Sequence, residues 1–297
     1  MSRSQAADAA LVWNTIVWGS TFVLVKNALA GISPILFLAL RFSLASAILL
    51  VLFRGLGKGP YTPKALGAGA LTGTFLFAGY LFQTWGLRLT SPPKSAFLTG
   101  LNTVMVPLLA ALVYKIKPRR SELLGVLAAT AGLALMTLQG GAGWGFGSIN
   151  RGDLFTIVCA LAFAAHIVTL GHFSEQVSFE LLSVMQVGVA ALWSLALFGW
   201  VEPPHWQWRP SVVYAILITG VLATAVAFTI QAWAQQYTTS TRTALIYMLE
   251  PVFAVITSYL VAGEGLSARA AVGAGLILGG VLLVELKPLN PRPHPFG

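Results

Sequence analysis

Ten stretches of about 20 mostly apolar residues follow one another along this chain, at approximately 9–29, 34–53, 66–87, 95–114, 121–139, 153–172, 179–200, 211–235, 242–262 and 268–286. In hydrocarbon a backbone amide finds no water, so such runs must satisfy their own polar groups as helices. The turn formers fall between the runs: Gly55-Leu-Gly-Lys-Gly-Pro60, Ser91-Pro-Pro93, Lys117-Pro-Arg-Arg120, the glycine run 140–147 and Glu202-Pro-Pro204. No connection is long enough to fold separately, so residues 1–297 read as one transmembrane domain of an all-α polytopic membrane protein. Composition excludes the alternatives. Only 9% of residues are charged and 57% are hydrophobic, against roughly a quarter charged in soluble domains. Too little charge is present to cover a soluble surface, and too much apolar surface for disorder. A single cysteine, Cys159, excludes a disulfide framework and any paired-cysteine metal or redox site.

The net charge of +9 belongs to topology. An even number of spans puts both termini on one side. If that side is cytoplasmic, it receives Arg3, Arg54, Lys58, Lys64, Lys115, Lys117, Arg119, Arg120, Arg242, Lys287 and Arg292. The other side receives fewer: Lys26, Arg88, Lys94, Arg151, Arg209 and Arg269. Basic residues gather on the cytoplasmic side, which favours both termini inside. Trp144, Trp200, Trp206 and Trp208 then lie near the outer interface, where indoles settle. No continuous basic groove can be drawn for nucleic acid. The first run is read as a retained helix rather than a signal peptide, because its n-region carries only Arg3 and Lys26 interrupts the run before Ala28-Leu-Ala30.

The chain also repeats itself. A shift of 145 brings Asp8 onto Asp153, Ser33 onto Ser178, Leu36 onto Leu181 and Ala45 onto Ala190. Past the second-to-third connection the shift becomes 148. It then brings Gln83 onto Gln231, Trp85 onto Trp233, Thr90 onto Thr238, Gly125 onto Gly273 and Gly132 onto Gly280. Each copy holds five spans, an odd number, so the second enters the membrane from the opposite side. The expected architecture is ten transmembrane helices in two inverted five-helix repeats, 8–139 and 153–287, with a site near the midplane between them.

Trp18-Gly-Ser-Thr-Phe22 followed by Lys26, then Ser33-Pro34 and Arg41-Phe42, resembles the opening of the EamA repeat of the drug/metabolite transporter superfamily. Ser95-Ala-Phe-Leu-Thr-Gly-Leu101 with Val106-Pro107, and Leu249-Glu-Pro-Val-Phe253 with Gly263-Glu264, are similar to its fourth and ninth helices. The likeness spans nearly the whole chain and is greatest to the aromatic amino-acid exporter branch. It implies a bacterial inner-membrane exporter of small metabolites. The two copies depart from each other at Ile116, where the second has Glu264, and at Pro107, which aligns with Val255 rather than Pro251.

Polar groups in hydrocarbon are costly and tend to face a cavity. Glu250 sits about nine residues into the ninth run, roughly 13 Å deep at 1.5 Å per residue, and Pro251 frees the carbonyl of Tyr247. Glu250 reads equally as a substrate-contacting or protonatable carboxylate and as a protonated partner of that freed backbone. Arg41 reads first as a guanidinium bonded to carbonyls between helices or snorkelling, and second as a substrate-carboxylate partner. Gln83 and Gln231 each have an aromatic residue one turn earlier, Tyr80 and Phe228, which suits an amphipathic ligand and equally suits interhelical packing. Asn14, Trp18 and Thr21 share one face of the first span, and their shifted counterparts Cys159, Phe163 and His166 share one face of the sixth. Asn102 aligns with Glu250.

The candidate substrate set is therefore Asn14, Trp18, Thr21, Tyr80, Gln83, Asn102, Phe163, His166, Phe228, Gln231, Tyr247 and Glu250, with Pro107 and Pro251 as hinges. Gly69-x3-Gly73 and Gly275-x3-Gly279 allow close helix approach, and spans five and ten are assigned to scaffold packing or a homodimer contact. The expected partners are the lipid bilayer and a small-molecule substrate. Amino acids come first, with a nucleobase, sugar or toxic amphiphile as the alternative cargo.

No metal or cofactor site is expected. There is no HExxH, the only aspartates stand at span ends, and the glycine run 140–147 lacks a following Lys-Ser/Thr. An intramembrane enzyme is disfavoured on the same residues. A channel is disfavoured because no span carries a full polar stripe.

Overall fold

The computed structural model describes residues 2–54, 62–89, 95, 98–137, 150–262 and 268–285 of the chain. The glycine run 140–147, Trp144, Gly263-Glu264, Ser91-Pro-Pro93, Lys58, Lys94, Lys287 and Arg292 lie outside the described residues. Every regular element among the described residues is helical: α1 (Arg3–Ala28), α2 (Pro34–Leu52), α3 (Pro63–Leu89), α4 (Asn102–Tyr114), α5 (Arg120–Thr137), α6 (Arg151–Ser174), α7 (Phe179–Leu197), α8 (Pro210–Ala234), α9 (Ser240–Tyr247), α10 (Glu250–Ala262) and α11 (Ala268–Glu285). Six of these, α1, α2, α3, α6, α7 and α8, are long and apolar enough to cross a membrane, and Leu98–Tyr114 and Ala268–Val284 are shorter apolar helices.

Local chemistry sets the helix starts. Ser2 and Gln5 form a capping box on α1, as Asn150 and Asp153 do on α6. Pro34 and Pro210 open α2 and α8, where a missing N–H costs nothing. The hydroxyl of Thr239 accepts from Arg242 N at the start of α9 (3.1 Å). α4 ends at Lys115, which turns left-handed (φ 56°) so that Ile116 N–H reaches the Ala110 carbonyl at 3.1 Å.

Three runs depart from an uninterrupted α-helix. The ninth is divided: α9 ends at Tyr247, Met248 and Leu249 form a turn, and α10 begins at Glu250 with Pro251 in its first turn. The fourth is interrupted at Leu101, the residue before Asn102. Its break therefore falls in the register of the Glu250 break, and the helix runs on through Pro107. The displaced proline does not displace the break. α8 carries a π-helical segment at Val221–Val226, inside an otherwise α-helical span.

The helices pack closely where side chains vanish. α11 lies antiparallel on α5: Gly125 abuts the Gly280 carbonyl and Gly132 the Gly273 carbonyl. A Cβ on Gly125 would sit 2.8 Å from that carbonyl oxygen, so only glycine permits the crossing. Gly69 and Gly73 abut Met185, Gln186 and Val189 of α7, as the small-residue spacing suggested. Gly275 and Gly279 do not: a Cβ at either would meet nothing within 4 Å among the described residues, because α11 turns Gly273 and Gly280 toward α5 instead. α1 runs antiparallel to α8, Asn14 meeting Ala227, Trp18 meeting Ala223 and Gly31 meeting Val212. α3 runs antiparallel to α6, with Gly79 against Phe163 and Gly86 against Thr156.

Two sets of contacts tie the bundle at opposite ends. Where α1 finishes and α2 starts, Ser33 N donates to His205 O (2.9 Å), Gln207 N to Gly31 O (2.7 Å) and Ile35 N to Glu202 Oε1 (2.5 Å). Arg88, at the end of α3, pairs with Glu202 at the same end. Where α1 starts, Arg242 Nη2 meets Asp8 Oδ2 at 2.6 Å with both side chains 4% exposed. Beside that pair, Thr239 donates to Glu122 Oε1 (2.8 Å). Many large apolar side chains are exposed on the outer surface, Leu112, Leu127 and Leu192 among them, which suits acyl chains as solvent.

Candidate functional site

A cavity of about 180 Å³ lies between α1, α2, α3, α4, α6, α8, α9 and α10, with Leu133 of α5 also in its lining. It runs from mid-bundle, at Asn102 and Met248, toward the end where α1 and α3 finish, at Val25 and Leu87. That is smaller than the ~300–1,000 Å³ of drug-sized pockets and of the scale of a small metabolite.

Of the candidate substrate residues, Trp18, Thr21, Tyr80, Gln83 and Asn102 line this cavity from the first half of the chain. Phe163, His166, Phe228, Gln231, Tyr247 and Glu250 line it from the second. Asn14 does not reach it; its Nδ2 donates to the Ala227 carbonyl at 2.8 Å, joining α1 to α8. Pro251 faces the cavity and Pro107 is buried away from it in α4.

One wall is aromatic. Trp18 packs on Tyr247 (centroids 4.8 Å, 70°) and on Phe228 (5.6 Å). Tyr80 meets Phe163 edge-on at 5.3 Å and Phe228 at 6.1 Å. These rings offer apolar faces and edges to a ligand side chain. α1 can bring Trp18 this close because Gly19 lets its backbone touch the first turn of α10: a Cβ there would lie 2.7 Å from the Glu250 carbonyl oxygen.

The polar lining is held from behind. The π segment of α8 leaves carbonyls outside the regular i→i−4 ladder, and two cavity residues occupy one of them. Trp18 Nε1 donates to Ala223 O at 2.9 Å, and Arg41 Nη2 donates to the same oxygen at 3.1 Å. Arg41 Nε also donates to Thr224 Oγ1 (2.6 Å), and Nη2 to the Tyr80 hydroxyl (3.1 Å). The carbonyl-bonded reading of Arg41 is thus correct, yet the residue lines the cavity as well. His166 Nε2 donates to Gln186 Oε1 (2.8 Å), and Gln186 Nε2 to the Phe228 carbonyl (3.4 Å). Gln231 Nε2 donates to Gln235 Oε1, while its own buried Oε1 has no partner among the described residues. The Glu250 carboxylate accepts no hydrogen bond among the described residues.

Lining residues outside the candidate set are Arg41, Thr84, Ser95, Thr99 and Thr103, with apolar neighbours such as Leu133. Arg41 carried a usable signal, since a charge placed within a membrane span is a site hypothesis by default. The threonines carried none, because a helical hydroxyl usually bonds its own backbone, as Thr84 does to Tyr80 O (2.6 Å). Among the described residues no group of three His, Cys, Asp or Glu side chains could hold a metal ion.

A family model for the EamA-like transporter family matches this chain twice, over residues 5–138 and 150–286. The chain belongs to that family. An uncharacterized transporter of Archaeoglobus fulgidus is 34% identical over 281 residues, covering 95% of this chain and 86% of that protein. A probable terminal-alkyne amino-acid exporter of Streptantibioticus cattleyicolor is 23% identical, over 95% of this chain and 94% of its own length. A crystal structure with 22% sequence identity shares the fold, with a TM-score of 0.80 over 96% of this chain and 99% of that one. The protein is a multi-pass membrane transporter and not an enzyme.

Proposed function

We propose that this transporter exports small amphipathic metabolites, foremost amino acids including aromatic ones, by alternating access from a bacterial inner membrane. The observation that carries the reading is the cavity itself. Its lining combines a cluster of aromatic rings with the polar side chains of Gln83, Asn102, Gln231 and Glu250. An amino acid carries the same two kinds of group, an apolar side chain and a polar backbone. The amino-acid exporter of Streptantibioticus cattleyicolor supports the substrate class at low identity. A nucleobase, sugar or toxic amphiphile is the rival cargo.

The mechanism rests on ten spans in two inverted five-helix repeats, 8–139 and 153–287. Three observations support this organisation. The family model matches twice. α1 packs antiparallel on α8 as α6 packs on α3, the same pairing with the copies exchanged. Gly125 meets Gly280 while Gly132 meets Gly273, and the repeat register exchanges these two contacts. Two related halves give two packings of similar energy, one open to each side. With both termini cytoplasmic, the cavity reaches toward the outer face, and the buried Arg242–Asp8 pair closes the inner end. Spans five and ten serve as scaffold through the α5–α11 contact.

The test is counterflow of labelled amino acids in proteoliposomes, with nucleobases, sugars and amphipathic drugs as the comparison panel. Saturable exchange of phenylalanine or tyrosine is expected. Saturable exchange of a non-amino-acid cargo with none of any amino acid would establish the rival.

A further inference from the structure

Arg41 is 4% exposed and holds no carboxylate among the described residues. Three of its N–H groups are committed: Nε to Thr224 Oγ1, and Nη2 to the Tyr80 hydroxyl and the Ala223 carbonyl. These bonds fix the guanidinium plane against the π segment and over the Tyr80 ring, with Cζ 4.5 Å from its centroid. Nη1 makes no bond among the described residues, and Arg41 lines the cavity. A desolvated cation without a counter-ion is costly. An immobilised guanidinium with one edge left open is also the geometry that receives a carboxylate.

Glu250, the first residue of α10, lines the same cavity, and its side chain makes no hydrogen bond among the described residues. No direct ion pair joins the two among the described residues, although both line the cavity. Each comes from a different half of the chain. The repeat register puts Gln186 where Arg41 would recur and Asn102 where Glu250 would recur. The cavity therefore has one positive and one negative pole, with the aromatic wall between Tyr80 and Tyr247 beside them.

We infer that Arg41 and Glu250 are a split charge pair that selects zwitterions, the substrate carboxylate seated on Arg41 Nη1 and its ammonium on Glu250. This deepens the amino-acid reading above and rests on it. The resident charges compensate each other when the cavity is empty. A zwitterion replaces that long interaction by two short ones, whereas a ligand of single charge leaves one pole unmatched. Specificity here comes as much from the unmatched pole as from the contact made.

The test uses the full chain in vesicles, with labelled phenylalanine counterflow and three competitors: phenylalanine, 2-phenylethylamine, which lacks the carboxylate, and 3-phenylpropionate, which lacks the ammonium. Wild type is expected to prefer phenylalanine at least ten-fold over either. Arg41→Gln should bring 2-phenylethylamine within about two-fold of phenylalanine and leave the discrimination against 3-phenylpropionate in place. Glu250→Gln should do the reverse. Arg41→Lys, which keeps a charge, should retain most of the preference for the carboxylate.

An Arg41 that merely braces the π segment would lower exchange of all three ligands equally, and that result overturns the inference. So does a wild type that accepts 2-phenylethylamine or 3-phenylpropionate as readily as phenylalanine, a measurement that needs no variant to fold. Failure of wild type to exchange any amino acid would instead overturn the substrate class, a separate outcome.

Discussion

The two family-matched halves, 5–138 and 150–286, build one cavity with unlike chemistry. The first half contributes Arg41, Tyr80 and Asn102. At the same register the second offers Phe228 and Glu250, and in place of Arg41 it has Gln186, which bonds His166 and does not itself line the cavity. Glycine contacts and helix breaks, beside Asn102 and Glu250, occur in both halves, while the charges differ. Ser33 and Ser178 make the same point away from the cavity. Ser178 Oγ still caps its own helix at Leu181 N (3.4 Å), whereas Ser33 Oγ accepts from His205 N (3.3 Å) in the other half. Packing geometry constrains both copies together, since each glycine crossing needs its partner. A side chain facing a cavity is not so constrained, and a transporter that must orient a polar substrate gains from unlike walls.

The largest effect is expected where charge joins the halves. Arg242→Met removes the guanidinium that meets buried Asp8 and should cost about 3–5 kcal/mol of stability. The double variant Asp8→Leu/Arg242→Met should recover most of that loss. Thermal unfolding in detergent measures both, and equal melting of wild type and Arg242→Met would show that this end is not held by charge.

A smaller effect should separate Gly19 from Ala164, its counterpart at a shift of 145. A Cβ at Gly19 meets main-chain atoms of α10, the Glu250 oxygen at 2.7 Å and Ala254 N at 2.9 Å, which cannot swing aside. Gly19→Ala should cost ~1–3 kcal/mol by overpacking and slow transport by displacing Glu250. Ala164→Gly should cost only ~1 kcal/mol of helix propensity. If the two variants melt alike and transport alike, the halves are equivalent here after all.

The smallest effect is expected from Trp18→Phe, which keeps an aromatic ring and removes the indole N–H from the Ala223 carbonyl. The Arg41 bond to that oxygen remains, so the loss should be about 0.5–1.5 kcal/mol, read as a modest drop in melting temperature. The corresponding change in the other half, Phe163→Leu, removes no hydrogen bond and should act through ring packing alone.

Much of this architecture was legible in residues. Apolar runs can satisfy their amides in lipid only as helices, so their number and spacing fix the outline. Deep polar positions such as Glu250 and Gln83 are costly enough in hydrocarbon to announce a cavity. Ser2, Asn150 and the prolines at 34 and 210 mark helix starts because capping is local chemistry. The tertiary structure alone decided which faces meet. A helix surrounded by lipid and other helices is apolar on all sides, so periodicity does not single out the inward face. Gly273 and Gly280 were therefore indistinguishable from Gly275 and Gly279 until α11 lay on α5. The π segment of Val221–Val226 has no residue that demands it, and Trp18 and Arg41, some two hundred positions earlier, donate to its Ala223 carbonyl. A bond between distant helices depends on their crossing, and that crossing is set by the whole bundle rather than by either segment.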